Sequence, residues 1–155
     1  MNQPSPVGAK ALIANPALQP LAFLIGRWRT TGTHPLVPGE ALRGVTTFAW
    51  HEGGAFIVMR TEVHAPKFPD VLAIIGSDDT AGRFAMTYFD ERGTSRLFTV
   101  TAGDRTVTWL RDDPHFAQTT TLTAEGPDKL VGTGRMSLDG GAWAADLSQV
   151  FERGD

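Results

Sequence analysis

Residues 48–64 read FAWHEGGAFIVMRTEVH. Two runs rich in aromatic and β-branched residues flank Glu52-Gly53-Gly54. Runs of that composition are strands, and paired glycines supply the positive φ that a tight hairpin needs. The pattern repeats outward in both directions. Turn signals stand at residues 34–40 (HPLVPGE), 52–54 (EGG), 66–69 (PKFP), 78–82 (DDTAG), 91–94 (ERGT), 103–104 (GD), 112–114 (DDP), 125–128 (EGPD) and 139–141 (DGG). Between them lie strand-like runs such as 83–89 (RFAMTYF), 96–101 (RLFTVT) and 116–122 (FAQTTTL). Nine turns delimit ten strands. No link is long enough for a helical crossover, so sequential strands pair antiparallel. Closing the first strand on the last removes the exposed edges, and a barrel of this size leaves an interior cavity. The expected fold is therefore an all-β, about ten-stranded antiparallel up-and-down barrel.

Before the first strand, residues 15–25 (NPALQPLAFLI) place Leu18, Leu21, Phe23, Leu24 and Ile25 behind a proline. That stretch reads as a short helix or 3₁₀ turn plugging one mouth of the barrel. Residues 1–14 are expected to be a disordered arm and residues 15–155 a single domain.

The 155 residues include 17 Gly and 10 Pro, a surplus of turn formers that fits many short elements. With 41% hydrophobic and 20% charged residues the chain can bury a core. A formal net charge of −3 argues against non-specific binding to nucleic acid or to an anionic membrane. The absence of cysteine removes disulfides, thiol nucleophiles, zinc ribbons and iron–sulfur clusters. Asn15, Pro16, Gln19 and Pro20 interrupt the N-terminal apolar stretch, and Lys10 is the one positive residue ahead of it. No secretory leader is expected from that pattern, and no run reaches the roughly 18 apolar residues of a membrane span. The expected location is the cytoplasm. Arginine far outnumbers lysine, as in the products of GC-rich bacterial genomes.

Gly26-Arg27-Trp28, following a short apolar turn, resembles the opening of the calycin barrels, which include lipocalins, fatty-acid-binding proteins and nitrobindins. Residues 48–60 (FAWHEGGAFIVMR), 74–79 (IIGSDD) and 88–93 (YFDERG) extend the resemblance to uncharacterised bacterial calycin-like domains. The likeness covers roughly residues 21–152 and implies the calycin-like barrel while leaving chemistry open. In calycins the residue matching Trp28 closes the barrel bottom under a basic side chain of the last strand, which implies a Trp28–Arg153 cation–π contact. Nitrobindins bind haem through a histidine close to the C-terminus, whereas the last histidine here is His115. Haem through that ligand is excluded, and His34, His51 or His64 would have to substitute. No cofactor is expected.

The hairpin at residues 50–64 has two readings. A two-residue turn at Gly53-Gly54 sets Trp50 and Phe48 against Ile57 and Met59 and makes the interior apolar. A three-residue turn with a bulge sets Trp50 against Phe56 and Phe48 against Val58, and turns Arg60, Glu62 and His64 inward. One residue of slip exchanges the two faces. Strand composition favours the first register; the resemblance favours the second, which is the expectation adopted. The ligand-binding candidates are then Phe48, Trp50, Phe56, Val58, Arg60, His64, Tyr88 and Trp109. An inward Arg60 needs an anion: Glu62, Asp90 or a ligand carboxylate. Fatty-acid-binding barrels use an inward Arg with a Tyr for a ligand carboxylate, and Tyr88 is the only tyrosine here.

No Gly-x-Ser-x-Gly, phosphate loop or dinucleotide fingerprint is present, and no histidine pair has metal-ligand spacing. No metal is expected. The acidic pairs Asp78-Asp79, Asp90-Glu91 and Asp112-Asp113 fall in turns, where they cap backbone N–H groups. The leading expectation is a barrel, monomeric or homodimeric, that binds a small apolar or amphipathic ligand. One alternative is a barrel enzyme performing proton transfer or cyclisation on an apolar substrate, with His64 or Glu62 as base and Arg60 or Tyr88 stabilising charge; another is a haem-binding protein similar to nitrobindins without their C-terminal histidine ligand.

Overall fold

The computed structural model describes residues 15–78 and 80–154, together with Pro4. A 3₁₀ segment at Pro16–Leu24 precedes ten strands: β1 (Gly26–Thr33), β2 (Ala41–His51), β3 (Phe56–Val63), β4 (Val71–Asp78), β5 (Arg83–Asp90), β6 (Ser95–Gly103), β7 (Thr106–Arg111), β8 (Phe116–Ala124), β9 (Lys129–Leu138) and β10 (Ala144–Arg153). Each strand pairs antiparallel with its neighbours in sequence, and β1 also pairs with β10, closing the barrel. The ten-stranded up-and-down barrel expected from the turn signals is the observed fold, and every link falls on one of those signals. The expectation for residues 1–14 falls outside the described residues, Pro4 excepted. Among the described residues no helix is long and apolar enough to cross a membrane.

One end of the barrel is plugged. The Asn15 side chain accepts a hydrogen bond from the Ala17 N–H at 3.0 Å and Pro16 presets the first helical φ. Leu18, Leu21 and Leu24 then recur every third residue, the period of a 3₁₀ helix, so all three point into the barrel and are fully buried. They join Trp28, Phe48, Ile57, Ile75 and Val100 in the core. Trp28 Nε1 donates to the Leu24 carbonyl at 2.8 Å. Over the Trp28 ring lies the Arg153 guanidinium, 4.1 Å from its centroid, with Nη1 donating to the Ile25 carbonyl at 2.8 Å. Gly26, with φ 145°, sits against that guanidinium, where a Cβ would collide with Nη1.

Phe48 stands across from Met59 and Trp50 across from Ile57 on the β2–β3 ladder. This overturns the expected register with Trp50 against Phe56 and Phe48 against Val58. The link is four residues long, with Gly53 at φ 70° and Gly54 at φ 90° and the Ala55 N–H donating to the His51 carbonyl at 3.1 Å. An even-numbered link turns Ile57, Met59 and Thr61 inward and leaves Arg60, Glu62 and His64 exposed. The physical preference is plain: the other register would desolvate two charged side chains and expose Ile57 and Met59.

The Asn15 N–H donates to the Gly54 carbonyl at 2.7 Å, so the Gly-Gly link belongs to the plugged end. The β1–β2, β3–β4 and β5–β6 links gather at the opposite, open end, as the alternation of an up-and-down meander requires.

Candidate functional site

Between the plug and the open end lies a cavity of about 500 Å³. Inward positions on successive strands make its wall, apolar through Leu42, Met59, Met86, Phe98, Trp109 and Leu122. Val37 of the β1–β2 link and Phe68 of the β3–β4 link border its mouth, and Lys67 ties these two links together through Glu40 at 3.0 Å.

A chain of polar side chains crosses this apolar space. Arg96 lies on β6 beside Tyr88 of β5, its register partner. Its Nη1 donates to Gln118 Oε1 at 3.3 Å. Gln118 Nε2 donates to Asp146 Oδ2 at 2.8 Å, and His34 Nε2 meets Asp146 Oδ1 at 2.6 Å. His34 Nδ1 in turn accepts the Leu36 N–H at 3.0 Å. A nitrogen that accepts carries no proton, so the Nε2–H tautomer donates to Asp146.

Asp146 reaches the cavity because β10 is irregular: its register against β9 shifts between Ala145 and Ser148. That bulge brings both Asp146 and the adjacent Leu147 to the cavity wall.

A second polar group closes the β5–β6 turn. Arg92 holds Asp90 through both carboxylate oxygens, Nε to Oδ1 at 3.1 Å and Nη2 to Oδ2 at 2.7 Å. The Tyr88 hydroxyl donates to Asp90 Oδ2 at 2.7 Å. Burial opposes the charge on Asp90, but the bonds from Arg92 and Tyr88 outweigh it and hold the carboxyl at about 2. Burial first, then the bond to Asp90, pushes the Tyr88 hydroxyl well above its ordinary range. Tyr88 therefore keeps its proton and spends it on Asp90.

Charge is thus unevenly distributed around the cavity. Asp90 and Asp146 are each matched by protein donors, whereas no carboxylate among the described residues pairs with Arg96. Half-buried, Arg96 meets the neutral Gln118 oxygen and two rings, with its guanidinium carbon 4.9 Å from the Phe116 centroid and 6.0 Å from that of Tyr88.

Of the residues singled out in the sequence, Tyr88 and Trp109 border the cavity. Phe48 is buried in the core without bordering it, and Trp50 packs half-buried against the same core. Phe56 and Val58 belong to the outward face of β3, where Phe56 stacks on His51 at 4.6 Å. Arg60, Glu62 and His64 border a separate outer hollow with Leu72, Phe89 and Glu91. The proposed base candidates His64 and Glu62 therefore do not share a site with Tyr88.

Among the histidines, His34 alone borders the cavity, and both its ring nitrogens are engaged, so it presents no free lone pair to a haem iron. No cluster of three or more metal-ligating side chains occurs among the described residues. Four of the acidic turn residues cap backbone groups: Asp78 accepts the Ala81 N–H, Asp90 that of Arg92, Glu91 that of Asp70, and Asp113 those of His115 and Phe116.

Sequence reading missed Arg96, Gln118, Asp146 and the role of His34. Arg96 shares strand parity with Phe98 and Val100, a usable signal that the outward Leu97 obscures.

No protein-family model matches the chain, and no curated protein matches it. Among solved structures it is similar to Rv2717c from M. tuberculosis, with 17% identity and a TM-score of 0.66 over 92% of this chain and 99% of that one. A protein of unknown function from the DUF3598 family of Nostoc punctiforme shares 14% identity at a TM-score of 0.60. The alignment covers 96% of this chain and 53% of that one, about half its length. At these identities the likeness is one of fold.

Proposed function

We propose that this barrel binds a small amphipathic anion, with the apolar body against Met59, Met86, Phe98 and Trp109 and the negative head group at Arg96. One observation carries the reading: Arg96 is a half-buried, permanently charged guanidinium whose neighbours are neutral, while Asp90 and Asp146 are already satisfied by other groups. A half-buried guanidinium with no carboxylate directly paired to it favours an incoming anion, and it can grip a carboxylate with two parallel bonds. A cavity of about 500 Å³ is within the range of small-molecule sites.

The inward arginine expected at Arg60 does not hold, since Arg60 is exposed on the outer face; Arg96, which the sequence reading did not single out, takes the anchoring part in this proposal. Tyr88 takes a different part, since its proton goes to Asp90 and its ring packs near the guanidinium.

The test is native mass spectrometry of the protein after incubation with a total lipid extract. Wild type should retain monocarboxylic acids, and Arg96→Met should retain markedly less. A wild-type protein that emerges empty, or a variant that retains the same acids equally, overturns the reading.

A further inference from the structure

The outer wall of the barrel carries an uncovered apolar face. Of the large apolar side chains exposed among the described residues, Ile74, Phe89, Leu97 and Leu110 stand on adjacent strands, β4 to β7, and Leu97 is 73% exposed. The ladders place them together. Val58, Ile74, Thr87 and Leu97 make one row across β3 to β6. Leu72 and Phe89 stand in the row on one side of it, Thr99 and Leu110 in the row on the other. None of these positions carries a charge, and a contiguous apolar face of this kind marks a site of association.

The charges around the face indicate what covers it. β3 and β5 both pair antiparallel with β4 and therefore run in the same direction. Glu62 lies four residues beyond Val58 on β3, and Arg83 four residues before Thr87 on β5. The two positions are thus equally far from Ile74 and on opposite sides of it, each one strand across and roughly 14 Å along. Both side chains are exposed, and neither makes a hydrogen bond or an ion pair with another described residue. Asp78, opposite Arg83 on the ladder, turns its Oδ1 to the Thr80 hydroxyl and the Ala81 N–H.

A two-fold axis that lies in this face over Ile74, at right angles to the line from Glu62 to Arg83, exchanges the two positions. We infer that a second copy of this chain, related by that axis, covers the face, with Glu62 of each copy on Arg83 of the other. The same axis runs between Phe89 of β5 and Leu97 of β6, so the exposed Leu97 of one copy packs on Phe89 of the other, at the edge of the outer hollow that Phe89 and Leu72 border. Ile74 meets its own counterpart. A face that pairs with itself in this way is what a two-fold interface requires. Apolar burial supplies the affinity, and the crossed charges fix the register. Five strands and roughly 27 Å of strand length give each copy about 600 Å² in plan, at the lower end for a specific interface, so the dimer dissociates on dilution. The inference is independent of what the cavity binds.

Sedimentation velocity over a concentration series tests it. Wild type should pass from monomer to dimer as concentration rises. Glu62→Arg and Arg83→Glu each set like charges against one another twice per dimer, and each should raise the dissociation constant about tenfold or more. The double variant E62R/R83E restores opposite charges with the signs exchanged and should recover the wild-type constant within about threefold. Ile74→Asp places two carboxylates against each other on the axis and should be monomeric throughout. All three positions are exposed, so these substitutions leave the core intact.

A wild type that stays monomeric at every concentration, which leaves the face to a different protein, overturns the inference. A dimer that survives the single reversals or Ile74→Asp unchanged overturns it too, because such a dimer uses another face. A double variant that associates no better than the single ones refutes the crossed pairing of Glu62 with Arg83.

Discussion

Arg96 and Asp146 face the same cavity yet communicate only through the carboxamide of Gln118, whose oxygen accepts from the guanidinium at 3.3 Å and whose nitrogen donates to the carboxylate at 2.8 Å. A neutral spacer separates two opposite charges that could otherwise cancel. Asp146 has its hydrogen bonds from His34 and Gln118, and the guanidinium of Arg96 stays free of a direct carboxylate partner.

Replacing the spacer with a charge tests that arrangement. Gln118→Glu sets a carboxylate beside Arg96 and supplies from within the anion that the ligand would bring. Dodecanoate affinity measured by titration calorimetry should fall about tenfold or more, the scale of a charged hydrogen bond. Unchanged affinity would show that Arg96 is not the anchor.

His34 fastens the β1–β2 link to the β10 bulge. Nitrogen-resolved NMR should find its Nδ1 unprotonated and its Nε2 carrying the proton. His34→Ala should cost about 1–3 kcal/mol, because Asp146 and the Leu36 N–H both lose a partner. Amide exchange at Leu36 and Val37 should accelerate more than elsewhere in the barrel.

Asp90 gives the fold a defined acid response. Its carboxyl is held at about 2, against 3.8 for a free aspartate. A depressed native value means that the stabilisation is complete above about pH 4 and is lost as pH falls through about 2. Nearly two units correspond to about 2 kcal/mol. Denaturant titrations at stepped pH should show this loss in wild type, and Asp90→Asn should lack that segment of the pH dependence.

The plugged end is sensitive to one methyl group. Gly26→Ala adds a Cβ at φ 145° and displaces the guanidinium that covers Trp28, at an expected cost of about 1–3 kcal/mol. Arg153→Met keeps the backbone and loses the cation–π contact, about 0.5–2 kcal/mol. Urea unfolding followed by tryptophan fluorescence separates the two.

The turns were legible because glycine, proline and aspartate mark them chemically, as in residues 34–40 and 125–128, and their spacing dictated ten strands. The β2–β3 register was not, because residues 56–59 are apolar on both faces and the link length decides parity. Once parity is fixed, the charges at Arg60 and Glu62 agree with an outward face. Asp146 was hidden for a different reason. It faces inward through a bulge, which breaks the alternation on which strand reading depends. Arg96 lay on a strand whose two faces both carry large apolar residues, Leu97 outside and Phe98 inside.

The claim that Arg96 anchors an anion is tested most directly by comparing dodecanoate with dodecanol, equal in chain and different in charge, in wild type and Arg96→Met. Calorimetry should give dodecanoate an advantage of about tenfold to a hundredfold in wild type, collapsing to near parity in the variant. Equal affinities for the two ligands in wild type, or an advantage undiminished in Arg96→Met, would contradict it.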